Sequence, residues 1–177
     1  QISDYTQEMK HTHYKSDYCK SCGSKTNYKD IDGVLRSHCN NCDYIDFADP
    51  KVVAVAIVVN ENNELLLIKR NIEPAIGEWA FPSGYIDKGE AVEDAAIREA
   101  KEESNLDISL AKLVGVYSNT GNPVILIVYS ASARSGKEKP GPETQDVRWF
   151  KLDKLPELPF PHDKQILLDW IDAQNNN

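Results

Sequence analysis

The chain has 177 residues, of which 41% are hydrophobic, and it carries a net charge of −8 at pH 7. This length allows one well-packed core and a small additional module, while the acidic charge argues against a nucleic-acid backbone as the main partner. The longest apolar run, residues 52–59, is too short to cross a membrane, and no apolar signal sequence precedes it, so the sequence predicts a cytoplasmic protein without a membrane partner.

All four cysteines lie near the start of the chain, as two Cys-x-x-Cys pairs: Cys19 with Cys22, and Cys39 with Cys42. This pattern predicts a zinc ribbon, in which each pair closes a tight turn and four thiolates surround one Zn²⁺. Two disulfides are disfavoured in the cytoplasm, and redox-active pairs are disfavoured because no βαβ unit is predicted around them. The segment that contains these pairs is too short to fold on its buried apolar surface alone. The zinc is therefore expected to be structural.

A zinc ribbon can also bind nucleic acid, but residues 1–50 contain six Lys/Arg and eight Asp/Glu. This balance gives a poor electrostatic footprint for DNA or RNA, and nucleic acid is therefore not the expected partner. We predict two domains: residues 1–48 as a zinc-ribbon module with an N-terminal extension, and residues 49–177 as the main domain. The proline of Asp49-Pro50 favours extended backbone at this junction.

The main domain reads as strands mixed with two helices. Strands are predicted at 52–59 (buried on both faces), 64–70, 79–81, 113–117, 124–133 and 147–150, a mobile surface loop at 135–146, and a closing helix at 163–173. This order predicts the α/β class, with helices packed on a mixed sheet.

Seven acidic and three basic residues fall within residues 84–106. On a helix predicted from about Glu90 to Ser104, Glu99 and Glu103 are i,i+4 neighbours, and Glu102 lies three residues from Glu99. Such like charges destabilise a bare helix, so a divalent cation with carboxylate ligands is the natural partner. The alternative is an ordinary surface helix with i,i+4 ion pairs.

This segment resembles the Nudix box, which reads Gly, five residues, Glu, seven residues, then Arg-Glu-U-x-Glu-Glu-x-Gly-U, with U a bulky aliphatic residue. The matching residues are Gly84, Glu90, Arg98, Glu99, Glu102, Glu103 and Leu106. Ala100 is small for U, and Asn105 stands where the family has Gly, although Asn also tolerates the left-handed conformation of a helix C-cap. The flanking segments are similar as well, over residues 51–171. With the cysteines in front, the chain resembles the zinc-ribbon branch of the family, which includes NADH pyrophosphatases.

The resemblance implies a Nudix α/β/α sandwich around a mixed sheet, and hydrolysis of a nucleoside diphosphate linked to a group X by attack of water at phosphorus. It implies Mg²⁺ or Mn²⁺ as the catalytic cofactor. The implied ligands are Glu99 and Glu103, the main-chain carbonyl of Ser83, and Glu102 as a ligand or water-positioning group.

The resemblance also implies supporting residues. Arg98 is expected to hold a glutamate in place, with Glu90 as its partner. The family often supplies another acid from a late loop, and both Glu143 and Asp146 lie in that segment. The sequence does not decide between Glu143 and Asp146, and we take Glu143 as the candidate catalytic residue.

The substrate is less well defined. The S-Q-P-W type motif of NADH pyrophosphatases is missing, and Pro123 lies close to, but out of register with, a proline that ADP-ribose hydrolases place after the box. We therefore expect a small nucleotide substrate: ADP-ribose, or a dinucleotide such as FAD or NADH. The alternative is a Nudix-fold sensor that binds a nucleotide without turnover and contacts a partner through its ribbon. Many Nudix hydrolases are dimers, so a homodimer is a further expectation.

Overall fold

The computed structural model describes residues 16–175, so the extension predicted before residue 16 lies outside the described residues. The chain forms two compact units. The first contains the described residues up to Pro50 and the loop 119–123, and the second contains the remaining described residues. No helix within residues 16–175 is both long enough and apolar enough to cross a membrane.

The first unit is built on a three-stranded antiparallel sheet with strand order β1-β2-β3, formed by Asn27–Ile31, Val34–His38 and Ile45–Asp46. The turn between β1 and β2 is made by Asp32 and Gly33, with φ angles of 54° and 79°. Two successive positive φ angles are typical of a tight two-residue hairpin turn. Strands β1 and β2 therefore form a hairpin between the two cysteine pairs.

The second unit is a seven-stranded mixed sheet with one helix on each face. Its elements are β4 (Lys51–Val59), β5 (Leu65–Arg70), β6 (Trp79–Ala80), β7 (Ser83–Tyr85), α1 (Val92–Ser104), β8 (Asp107–Tyr117), β9 (Val124–Ser135), β10 (Thr144–Phe150), a 3₁₀ turn (Leu152–Lys154) and α2 (Asp163–Asn175). The main strand order is β10-β5-β4-β9-β8, with β6 paired to β5 and β7 paired to β4. Only β4 and β9 run parallel to each other among the strands described.

Strand β4 is buried on both faces, as its continuous apolar sequence predicts. Val55 and Ile57 pack in one cluster with Ile166 and Trp170 of α2. On the other face of β4, Ala54 packs in one cluster with Ala95 and Ala96 of α1, and Ala56 packs in a second cluster that includes Ala100. Small side chains let α1 approach the sheet closely, and this closeness sets the position of its carboxylates. The α/β/α sandwich is confirmed.

Two of the boundaries that differ from the prediction concern β8 and the loop before β10. Strand β8 begins at Asp107, well before the predicted 113–117, and its pairing with β9 shifts register three times. Each shift interrupts the two-residue alternation that marks a strand in a sequence. The loop predicted over 135–146 is shorter, since β10 begins at Thr144, and it is attached to the end of α1: the N–H groups of Lys139 and Gly141 donate to main-chain carbonyls of α1.

Candidate active site and metal centre

The four cysteines converge. Their Sγ atoms all lie within 4.8 Å of one another, and the four thiols are free. The distances are 3.6 Å between Cys19 and Cys42, and 3.5 Å between Cys22 and Cys39, far longer than a disulfide bond. Four sulfur atoms at this spacing fit the thiolates of a tetrahedral zinc site.

The two cysteine turns repeat one backbone pattern. Gly23 donates its N–H to the carbonyl of Cys19, and Asp43 donates its N–H to the carbonyl of Cys39, each over 2.9 Å. Gly23 and Asp43, the residues that follow each pair, have φ angles of 73° and 57°. The glycine in the first turn is visible in the sequence, whereas Asp43 adopts the same left-handed conformation without one.

In the second unit, Gly84 allows Glu99 to lie against the main chain of β7. Gly84 pairs with Ala54 of β4, and a Cβ added to Gly84 would stand 2.0 Å from Cδ of Glu99. A side chain at this position would have to displace the Glu99 carboxylate. The first residue of the predicted box therefore positions a carboxylate that follows it by 15 residues in the sequence.

Arg98 connects three of the predicted carboxylates. It binds Glu90 through Nε (2.7 Å) and Nη2 (2.9 Å), and its Nη1 lies 2.6 Å from Glu99 and 3.3 Å from Glu102. Its Nη2 also donates to the carbonyl of Tyr85. The hydrogen bonds from Arg98 are the main reason that the pKa of Glu90 falls to about 2. The structure thus contains both the expected Arg98–Glu90 pair and the i,i+4 pair of an ordinary helix.

Glu103 has different surroundings, because it is only 5% exposed and has no ion pair with any described residue. The N–H of Ser83 donates to its Oε2 over 2.9 Å, which brings the main chain of the predicted carbonyl ligand to this carboxylate. Burial raises the pKa of Glu103 to about 8, although the Ser83 N–H and the charge of Arg70 oppose the rise. A buried carboxylate of this kind suits a hard divalent cation, which would keep it ionised.

The box carboxylates do not all point to one place. Apart from the cysteines, no three Cys, His, Asp or Glu side chains among the described residues bring their ligand atoms within 4.8 Å of one another. Glu99 and Glu102 are turned toward Arg98, whereas Glu103 is turned toward Ser83. Glu99, Glu102 and Glu103 thus present a set of oxygen donors in two orientations.

Of the two late-loop acids, Glu143 acts electrostatically on Glu99 and Glu103. Burial chiefly raises the pKa values of these two glutamates, and the negative charge of Glu143 adds to both shifts. The N–H of Gly141, two residues before Glu143, donates to the main-chain carbonyl of Glu103 over 3.3 Å, so this loop lies against the end of α1. Asp146 instead forms an ion pair with Arg148. The β-bulge between Thr144 and Asp146, which separates the two acids, is not visible in the sequence.

Sequence reasoning missed Arg70, the last residue of β5. It is buried, and its positive charge acts on Glu103. Its position in the strand could have identified it. Leu66 and Ile68 face α1, and Arg70 is the next residue of β5 on the same face.

The comparison with known proteins agrees with this geometry. Residues 49–171 match the NUDIX domain model, which is more than half of the chain. The chain therefore belongs to the Nudix family of pyrophosphohydrolases, as the box residues predicted.

Individual relatives come from several organisms. The chain is 38% identical over 127 residues to an ADP-ribose pyrophosphatase of Methanocaldococcus jannaschii, covering 70% of this chain and 75% of that protein. It is 29% identical over 143 residues to the NAD-capped RNA hydrolase NudC of Stutzerimonas stutzeri, covering 80% of this chain but only 50% of NudC. The crystal structure of a NUDIX hydrolase from Nitrosomonas europaea has a TM-score of 0.84 and 27% identity, covering 92% of this chain and 94% of the other.

Proposed function

We propose that this chain hydrolyses the pyrophosphate bond of a nucleoside diphosphate linked to a group X, with ADP-ribose as the first candidate. The observation that carries the proposal is the group formed by Gly84, Arg98 and the carboxylates of Glu99, Glu102 and Glu103. The similarity to an ADP-ribose pyrophosphatase supports the choice of substrate. FAD and NADH are the next candidates.

The proposed catalytic cation is Mg²⁺ or Mn²⁺, held by Glu99 and Glu103 with Glu102 and the carbonyl of Ser83. When bound, such a cation neutralises phosphate charge and lowers the pKa of a bound water. Arg98 orients Glu99 through the 2.6 Å hydrogen bond, and its bidentate contact with Glu90 fixes the guanidinium itself.

Glu143 is proposed as the carboxylate that accepts the proton of the attacking water. The effect of its charge on Glu99 and Glu103, and the hydrogen bond between its loop and the end of α1, support this role, because a general base must stand within reach of the water that it activates.

We infer further that the four cysteines hold one structural Zn²⁺, and that residues 1–48 and 49–177 are separate domains. The convergence of the Sγ atoms supports the zinc site. The start of the family match at residue 49 supports the boundary. We also propose that the protein is cytoplasmic and forms a homodimer. Light scattering of the purified protein would measure its oligomeric state.

To test the proposal, the purified protein is incubated with a panel of candidate substrates and Mg²⁺ or Mn²⁺ in ¹⁸O-labelled water. The products are then identified. The panel contains ADP-ribose, NADH, FAD, diadenosine polyphosphates, nucleoside triphosphates and NAD-capped RNA. We expect AMP and ribose 5-phosphate from ADP-ribose, with one labelled oxygen in one product. The matched control is Glu103→Gln, which should release neither product at a comparable rate. Tight binding of one compound with no turnover of any would overturn the proposal in favour of a nucleotide sensor.

A further inference from the structure

Arg70 is a buried cation with no anionic partner among residues 16–175. It is 7% exposed, its Nε donates to the carbonyl of Pro74 over 2.7 Å, and its Cζ lies 5.4 Å from the centre of the Phe160 ring. No carboxylate of the described residues lies within ion-pair distance of it, and none of these residues accepts a hydrogen bond from its Nη groups. Burying a guanidinium without an anion is unfavourable, so this arrangement calls for an anionic ligand.

Thr144 supplies a second, independent observation at the same place. It stands opposite Arg70 in the ladder between β5 and β10, and the side chains of such a cross-strand pair lie on the same face of the sheet. Thr144 is 5% exposed, and no group in the part of the chain that the structure describes forms a hydrogen bond with its buried Oγ1. Buried hydroxyl groups are normally hydrogen-bonded. The Nη groups of Arg70 and the hydroxyl of Thr144 are therefore neighbouring hydrogen-bond donors that no described residue uses.

This pair lies beside the candidate active site. Leu66 and Ile68 of β5 pack in the cluster that includes Ala100 of α1, and strand alternation puts Arg70 on that same face. The N–H of Asn71 donates to the carbonyl of Glu143 over 2.9 Å, so the end of β5 is joined directly to the late loop. The electrostatic effect of Arg70 on Glu103 agrees with this position.

We propose that Arg70 and Thr144 bind a phosphate group of the nucleoside diphosphate substrate. The guanidinium offers two Nη groups in a fixed plane that matches phosphate oxygens, and the hydroxyl offers one further donor. The contacts with Pro74 and Phe160 hold the guanidinium in place before the ligand arrives. This inference rests on the proposed function, to which it adds the residues that hold the diphosphate.

The competing explanation is structural: Arg70 would merely fasten the loop 71–78 through Pro74. Binding measurements separate the two explanations. The probes are the α,β-methylene analogue of ADP-ribose, which cannot be hydrolysed at that position, inorganic pyrophosphate, and adenosine, which has no phosphate. The variants are Arg70→Gln, Arg70→Lys, Thr144→Val and Thr144→Ser. Arg134→Gln, an exposed residue of β9, provides a control with the same change in net charge.

We expect Arg70→Gln to weaken binding of the methylene analogue about 10- to 100-fold, because it removes charge-assisted hydrogen bonds. Binding of adenosine should be unchanged. Arg70→Lys should fall between the wild type and Arg70→Gln, since it keeps the charge but loses the planar fork. Thr144→Val should weaken binding less than Arg70→Gln does, whereas Thr144→Ser and Arg134→Gln should bind like the wild type.

The results also separate this inference from the proposed function. If ADP-ribose is hydrolysed and Arg70→Gln and Thr144→Val bind the analogue like the wild type, the phosphate site is wrong and the function stands. If ADP-ribose is not hydrolysed but both variants lose affinity for the analogue or for pyrophosphate, the phosphate site stands and the choice of substrate is wrong. Equal weakening of adenosine and the analogue, or a wild type that binds neither phosphate compound, would overturn the phosphate site. If Arg70→Gln does not fold, Thr144→Val carries the same test.

Discussion

Replacement of Gly84 by alanine tests whether the close contact between β7 and Glu99 places a catalytic carboxylate. The added Cβ would stand 2.0 Å from Cδ, 2.1 Å from Oε1 and 2.4 Å from Oε2 of Glu99. These atoms end a flexible side chain, so Glu99 can swing away while the backbone remains in place. The φ angle of Gly84 lies outside the left-handed region, so alanine brings no backbone strain of that kind.

The size of the effect follows from the distance. Ordinary contact begins near 3.4 Å, so the carboxyl carbon of Glu99 must retreat by at least about 1.4 Å from its 2.0 Å position. Misplacing a catalytic group by about 1 Å can cost a factor of about 10². We therefore expect kcat/KM to fall about 100-fold, which corresponds to about 2.7 kcal/mol of transition-state stabilisation. The free energy of unfolding should change by less than about 1 kcal/mol, because the disturbed Arg98–Glu99 pair is partly exposed.

The assay combines steady-state kinetics on the preferred substrate with thermal unfolding, for the single variants Gly84→Ala and Glu99→Gln and for the double variant. Because both changes act through Glu99, the double variant should be about as slow as Glu99→Gln, and the two effects should not add. Gly115→Ala is the matched control. Its new Cβ would also meet the end of a side chain, the hydroxyl of Tyr117 at 2.8 Å, but no box carboxylate.

Two results would refute this reasoning. Wild-type kcat/KM in Gly84→Ala would show that the position of Glu99 against β7 does not matter for catalysis. Additive losses in the double variant would show that alanine at Gly84 acts through something other than Glu99.

The remaining predictions concern charge and metal. Glu103→Gln should lower turnover at least about 100-fold in a folded protein, measured by steady-state kinetics, and near-wild-type activity would remove Glu103 from the site. Glu143→Gln should lower kcat about 100-fold while Asp146→Asn should not, and equal effects would contradict the placement of the late-loop acid. Elemental analysis after dialysis against a weak chelator should find about one zinc per chain, with activity restored by Mg²⁺ alone. Cys39→Ser should lose that zinc, and a wild type with no zinc and four titratable thiols would contradict the ribbon.

The features that sequence predicts well are those fixed by local geometry. Helix α1 ends at Ser104, as predicted, and begins only two residues after the predicted start. Asn105 takes the left-handed conformation (φ 63°) and donates its N–H to Lys101, as expected of a C-cap residue in place of glycine. A helix fixes the relative positions of residues three and four apart, so the spacing of Arg98 and the glutamates was enough to foresee that they would meet.

The features that sequence misses depend on pairing between distant segments. Glu143 and Asp146 lie three residues apart on either side of a β-bulge, yet the charge of Glu143 acts on Glu99 and Glu103 while Asp146 pairs with Arg148. Arg70 and Thr144 are neighbours only because β5 and β10 pair in that register. Register is set by tertiary packing, and one residue of slip would turn every side chain of the strand to the other face.

The like charges of α1 are offset in two different ways. Adjacent carboxylates on a helix oppose its formation, and the sequence alone suggested that a cation must compensate them. In the structure Arg98 already binds Glu99 and Glu102, so much of that repulsion is balanced within the protein. Glu103 has only the Ser83 N–H and the more distant charge of Arg70, and burial raises its pKa to about 8. The contacts of Arg98 therefore offset part of the repulsion on the helix without a cation, whereas burial disfavours the ionised form of Glu103. Of Glu99, Glu102 and Glu103, only Glu103 has no ion pair among the described residues, so a bound cation would supply there a compensating charge that the protein itself does not pair with it.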